Sequence, residues 1–129
     1  MRSDPRSHEA TLGTLEQISI TIAKVAVKNT VNVAKSIKDL NNTGEISVCM
    51  KVCNIAIDIL NSVGKTLNHM TKMDKDDMQI TLSGAATYVA TCDDAFEMNP
   101  GDQMPADLKE ASKIAQGLIL VVLIIASRP

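Results

Sequence analysis

Three cysteines, Cys49, Cys53 and Cys92, are the residues of this chain with the most chemistry in them. All three fall on apolar positions of helical spacing, where a cysteine otherwise serves as a small buried thiol. If the segments carrying them form a helical hairpin turning near residue 72 or 73, Cys92 comes opposite the turn that holds Cys49 and Cys53. One disulfide is then within reach and the third thiol is left over. A turn centred at 72.5 pairs Cys53 with Cys92, and one centred at 70.5 pairs Cys49 with Cys92. Spacing leaves both open. Asp74, Asp76 and Asp77 lack the glycine turn and distant glutamate of a calcium loop, and they suit the positive N-terminus of a helix. His8 and His69 have no partners at ligand spacing, so no metal site is expected. Ser83-Gly84 has no companion histidine and lies mid-helix, which gives no nucleophile elbow. Asp93 and Asp94 are adjacent, and neighbours on a helix point about 100° apart, too far to share a substrate. Asn41 opens an Asn-Asn-Thr sequon, usable as a glycosylation site in a secreted protein. No catalytic set emerges. The reading is a non-enzyme without cofactors.

Whatever these residues do, helices must position them. The chain has 129 residues, 45% apolar, enough for one domain with a real core. A net charge of −2 gives no nucleic-acid footprint. One Tyr, one Phe and no Trp argue against stacking platforms and most β-sandwich cores. The apolar run from Leu118 to Ala126 is about half of a membrane span, so it reads as a buried helix end. Proline occurs at 5, 100, 105 and 129 only, leaving the chain from Arg6 to Glu97 free to be helical. Breaks at Asn41–Gly44, Thr71–Asp77 and Asn99–Asp102 divide it into four segments.

Apolar residues recur at 3–4 spacing in each segment. The second carries Ile46, Cys49, Cys53, Ala56, Leu60, Val63, Leu67 and Met70; the third carries Met78, Leu82, Ala85, Val89, Cys92 and Phe96. The fourth carries Leu108, Ala111, Ala115, Leu118, Val122 and Ile125. The first is less regular, with Leu12, Leu15, Ile18, Ile22 and Val25, then Val33, Ile37 and Leu40 out of phase. Narrow seams joined by short loops predict an all-α, antiparallel up-down-up-down four-helix bundle spanning 1–129 as a single domain. The expected helices are Leu12–Leu40, Glu45–Met70, Asp74–Met98 and Pro105–Ser127.

Two stretches go beyond a generic bundle. Met78 to Phe96, ending Thr-Cys-Asp-Asp-Ala-Phe, closely resembles the "LSAALT…TCxDxF" helix of the plant invertase and pectin methylesterase inhibitor family. Cys49, Ala56, Asp58 and Leu60 resemble that family's "CxxxYxDAxDxL" pattern, and Ser3 to Ala10 resembles the stretch leading into its first long helix. The resemblance implies a secreted plant four-helix bundle of the apoplast or cell wall that blocks the cleft of a carbohydrate enzyme. It implies a disulfide between Cys49 and Cys92, with Cys53 a free thiol. It implies partner-binding roles for Asp58, Thr91 and Asp94, the family's polar contact positions retained here. Such carboxylates would pair with basic groups on the enzyme, so binding should weaken as pH falls toward about 4.

The chain also departs from the pattern. The family's N-terminal hairpin with two further cysteines is missing, which reads as a truncated member, and Met1 to Pro5 lacks the apolar stretch of a signal peptide. Cys53 stands where the family has Tyr, and Ile55 replaces an Asp. The hinge from Thr71 to Asp77 lacks the Pro-Lys-Phe element of invertase inhibitors. The expected partner is therefore a pectin methylesterase, with acid invertase as the alternative target. No nucleic acid or membrane is expected as a partner, and the chain is expected to be a monomer. The rival readings are an allergen-like bundle with no enzyme target and an intracellular interaction bundle.

Overall fold

The computed structural model describes residues 5–40, 43–68, 75–98 and 103–126, with side-chain surroundings described for 13–39, 43–65, 77–98 and 103–126. They form four helices: α1 (Pro5–Leu40), α2 (Gly44–Asn68), α3 (Lys75–Glu97) and α4 (Ala106–Ala126). Among the described residues there is no strand. Each helix packs against the next, and α4 returns to α1, so the bundle runs up-down-up-down as expected. Asn41, His69, Met70, Asp74 and Ser127 lie outside the described residues, so neither the sequon nor the cap at Asp74 is seen. Lys75, Asp76 and Asp77 belong to α3, in line with the start expected near Asp74.

Local chemistry sets two of the helix starts. Thr43 opens α2: its Oγ1 accepts from Ile46 N at 3.4 Å and its carbonyl accepts from Ser47 N at 3.3 Å. Pro105 precedes α4, its carbonyl accepting from Lys109 N at 3.0 Å. Proline loses nothing there, because first-turn donors lack intrahelical partners anyway.

The seams of α2 and α3 are buried as spaced, from Ile46 through Val63 and from Met78 through Phe96. In α4, Leu108, Ala111, Ala115 and Val122 are buried, while Leu118 and Ile125 lie half-buried at its flank. By length and composition α2 could cross a bilayer, but its apolar face is turned into this core. Helix α1 is the correction. Leu15, Ile18, Ile22 and Val25 are exposed, and the core takes Ile20, Ala23, Val27, Thr30 and Ala34 instead. The buried hydroxyls cost little, since Thr30 Oγ1 donates to Ala26 O and Ser19 Oγ to Glu16 O. Ala23 of this face shares one core cluster with Ala115 and Ala126 of α4, and Ala34 shares the other with Leu108.

The core has two parts. Ile20, Val27, Leu60, Leu82, Val89 and Ile119 belong to the larger. The smaller, around Ala34, Ile46, Cys49, Cys92, Phe96 and Leu108, closes the end where α2 begins and α3 finishes.

Candidate functional site

Cys49 and Cys92 are joined by a disulfide, Cα to Cα 4.3 Å, across that smaller core. The pairing implied by the resemblance holds, and the alternative Cys53–Cys92 pairing is excluded. Cys53 is a free, fully buried thiol. Burial, with the negative charge of Asp93 adding to it, pushes its pKa from 9.0 up to about 12. It is therefore a packing residue, not a nucleophile.

The disulfide fixes how α2 and α3 lie against each other, and so which surface residues share a face. Thr91 and Asp94 lie on either side of Cys92 in α3 and emerge beside α2. There they line an open groove of about 400 Å³ with Gly44, Glu45, Val48, Ala95 and Met98. Thr91 Oγ1 donates to Thr87 O at 2.9 Å, which holds its side chain in one rotamer and leaves the oxygen able to accept. Asp94 is exposed. Tyr88, on the same flank of α3 one turn before Thr91, is exposed by 39%.

Asp58 is also exposed, but it is not part of this groove. The crosslink sets Asp94 level with the second residue before Cys49, so Asp58 lies about three turns, ~16 Å, further along α2. Any surface using all three residues must run most of the length of the α2–α3 pair.

Asp93 behaves differently from its neighbour. It turns to α4, where Gln116 Nε2 donates to Asp93 Oδ2 at 2.9 Å and to Ser112 Oγ at 3.0 Å. Its other oxygen, Oδ1, is buried without a hydrogen bond. The angular divergence expected of adjacent helical residues thus sends Asp93 inward and Asp94 outward. A second hollow, about 680 Å³, lies beyond Asp93 between α3 and α4, with Glu97, Lys109 and Lys113 on its walls. The sequence reading missed Glu45, Val48, Ala95 and Met98 as groove residues. Only the register of the hairpin could have found them, and that follows once the disulfide pairing is known. No group of His, Cys, Asp and Glu among the described residues could hold a metal ion.

Comparison with known proteins places this arrangement. Residues 1–125 match the family model described as plant invertase/pectin methylesterase inhibitor. The chain is similar to a pectinesterase inhibitor from Actinidia deliciosa, 30% identical over 129 residues, covering 98% of this chain and 68% of that protein. Its fold is that of the crystal structure of a pectin methylesterase inhibitor from Arabidopsis thaliana. The TM-score is 0.75 at 19% identity, covering 89% of this chain and 76% of the other. A mutant form of an Arabidopsis pectin methylesterase inhibitor is similar with a TM-score of 0.78 at 20% identity, covering 93% and 80%. The match over nearly every residue, with the bundle and the α2–α3 crosslink in place, makes this chain a member of the plant invertase/pectin methylesterase inhibitor family, a family of inhibitors and not of enzymes.

Proposed function

We propose that this chain inhibits a plant pectin methylesterase in the cell wall by laying α2 and α3 over the enzyme's active-site cleft. The observation that carries the reading is the 30% identity, over 98% of the chain, to a pectinesterase inhibitor. The geometry supports it further. Thr91 and Asp94 stand on one wall of a groove whose two helices are covalently joined. Short polar side chains on a rigid helical pair lose little conformational entropy on docking. Asp58 extends the same pair and would meet a more distant part of the enzyme. Carboxylates there pair with basic groups at the cleft rim, which favours fast encounter and a dependence on salt and acidity.

Titration of the purified chain against a pectin methylesterase and an acid invertase tests the reading. Inhibition of the esterase alone is expected. Thr91→Ala combined with Asp94→Ala should weaken it about tenfold or more, the scale of losing a well-placed polar contact. Inhibition of invertase alone would transfer the role to the family's other target, and absence of both would make this a bundle without an enzyme partner.

A further inference from the structure

On the side of the bundle away from α2 and α3, helices α1 and α4 present an apolar face to solvent. Leu15, Ile18, Ile22 and Val25 of α1 are 45, 51, 47 and 63% exposed, and Ile114 and Val121 of α4 are 52 and 43% exposed. They lie together for a geometric reason. Gln17 and Lys24 mark the flank of α1 turned to α2, through bonds to Gly64 O and Asn61 Oδ1. Gln116 marks the flank of α4 turned to α3. Ile22 and Val121 are on the opposite flanks, which face each other across the α1–α4 seam. The antiparallel pairing that brings Ala34 beside Leu108, and Ile20 into one cluster with Val122, sets Ile22 level with Val121.

This face is large and uncharged. About half of each side chain is open, which for six such residues amounts to about 500 Å² per copy, toward the upper end of the largest patch a monomer exposes, and patches of that size are often functional. From Ile114 to Ala126, α4 carries no charged residue at all. On α1, Lys24 is drawn to the α2 flank by its bond to Asn61. Nothing on the face repels an identical face.

We propose that this face joins two copies of the chain in a two-fold dimer, with the α1–α4 pair of one copy packed on that of the other. A two-fold interface needs a self-complementary patch, and a flat apolar face without charge is one. The six side chains alone would bury about 1,000 Å² over both copies, and their polar surroundings would bring the total into the range of specific interfaces. A lipid surface fits less well. Interfacial helices anchor through Trp or Tyr beside a basic rim, whereas this chain has no Trp and its tyrosine stands on α3. The dimer replaces the monomer expected from sequence. It would leave both α2–α3 faces pointing outward, free to act independently.

Sedimentation equilibrium of the full chain across micromolar concentrations tests the proposal. A monomer–dimer equilibrium is expected. Ile18→Lys with Ile22→Lys should raise its dissociation constant about a hundredfold or more, the scale of losing central apolar anchors. These positions are on the surface, so helicity and the melting midpoint of the dilute protein should be unchanged. Ile80→Lys, at an exposed position of α3, should leave association intact. A wild-type chain that stays monomeric, or a double variant that associates as before, would overturn the proposal. So would flotation of the monomer with phosphatidylcholine–phosphatidylglycerol vesicles that the same two substitutions abolish, since the face would then belong to lipid.

Discussion

Cys53 is surrounded so completely that its chemistry is suppressed. A thiol held near 12 stays protonated at any physiological pH. Iodoacetamide at pH 8 should therefore label no cysteine in the native protein and one in the unfolded, unreduced protein, with mass spectrometry as the readout. The same shift makes stability depend on pH in one direction. Below pH 9 the thiol is protonated in both states and contributes nothing. Between pH 9 and about 12 the unfolded chain releases a proton that the folded chain keeps, so the folded state loses ground as pH rises. Between pH 8 and pH 10.5, urea unfolding should show a stability loss about 1–2 kcal/mol larger in the wild type than in Cys53→Ala. Equal slopes would show that the thiol titrates normally in the fold. At Asp93 and Asp94 the sequence told that the pair diverges. Asp94, two residues or about 200° past the core position Cys92, is read as pointing outward, and it does. Only the Gln116 bond that engages Asp93 lies on another helix, beyond what spacing within α3 reveals.

The elements differ in how legible they were. In α2 and α3 the apolar seam and the buried seam coincide, because Leu60, Val63, Leu82 and Val89 are both the most apolar residues of their turns and the ones enclosed. Helix α1 misleads because Leu15, Ile18, Ile22 and Val25 are outside. Its inner face alternates Ile20 and Val27 with the smaller Ala23, Thr30 and Ala34. Periodicity weighted by hydrophobicity follows the large side chains, so it passes over the small residues that share the buried stripe. The groove residues Thr91 and Asp94 were readable only through resemblance, since a polar residue on a helix surface is ordinary. Glycine gives this scale its own prediction. Gly84 of α3 and Gly117 of α4 lie mid-helix, and a Cβ at either meets nothing within 4 Å. Replacing each with Ala should stabilise the fold by about 0.5–1 kcal/mol, mainly by narrowing the unfolded ensemble. Chemical denaturation should register the gain; a loss at Gly117 would point to a contact of α4 with another molecule.

For the whole molecule, the disulfide is the largest single constraint. It closes a loop of 44 residues, containing the entire turn between α2 and α3, and chain-entropy reasoning puts its stabilisation at about 4 kcal/mol. Reduction should lower the melting temperature strongly while leaving the native protein helical at low temperature, because the larger core around Leu60, Leu82 and Ile119 does not include the crosslink. Circular dichroism with and without reductant is the measurement. A reduced protein that has lost its helices at low temperature would mean that the core alone does not hold the bundle. Length is the other molecular feature. Helix α1, with 36 residues, spans ~54 Å, against ~32 Å for the 21 residues of α4. The two helices therefore differ in length by about 22 Å.

Tyr88 is the only residue of this chain with useful intrinsic fluorescence, since the protein has no tryptophan. It stands half-open on α3, a turn from Thr91. Emission excited at the tyrosine band therefore comes from a single address on the surface. Quenching by acrylamide reads the solvent access of that address, with no dye attached and no residue changed. A partner that settles over α2 and α3 must shield Tyr88 from the quencher, while one that settles on α1 and α4 must leave it as accessible as before. With a partner lacking tyrosine and tryptophan, such as a short synthetic peptide, one cuvette distinguishes the two faces of the bundle.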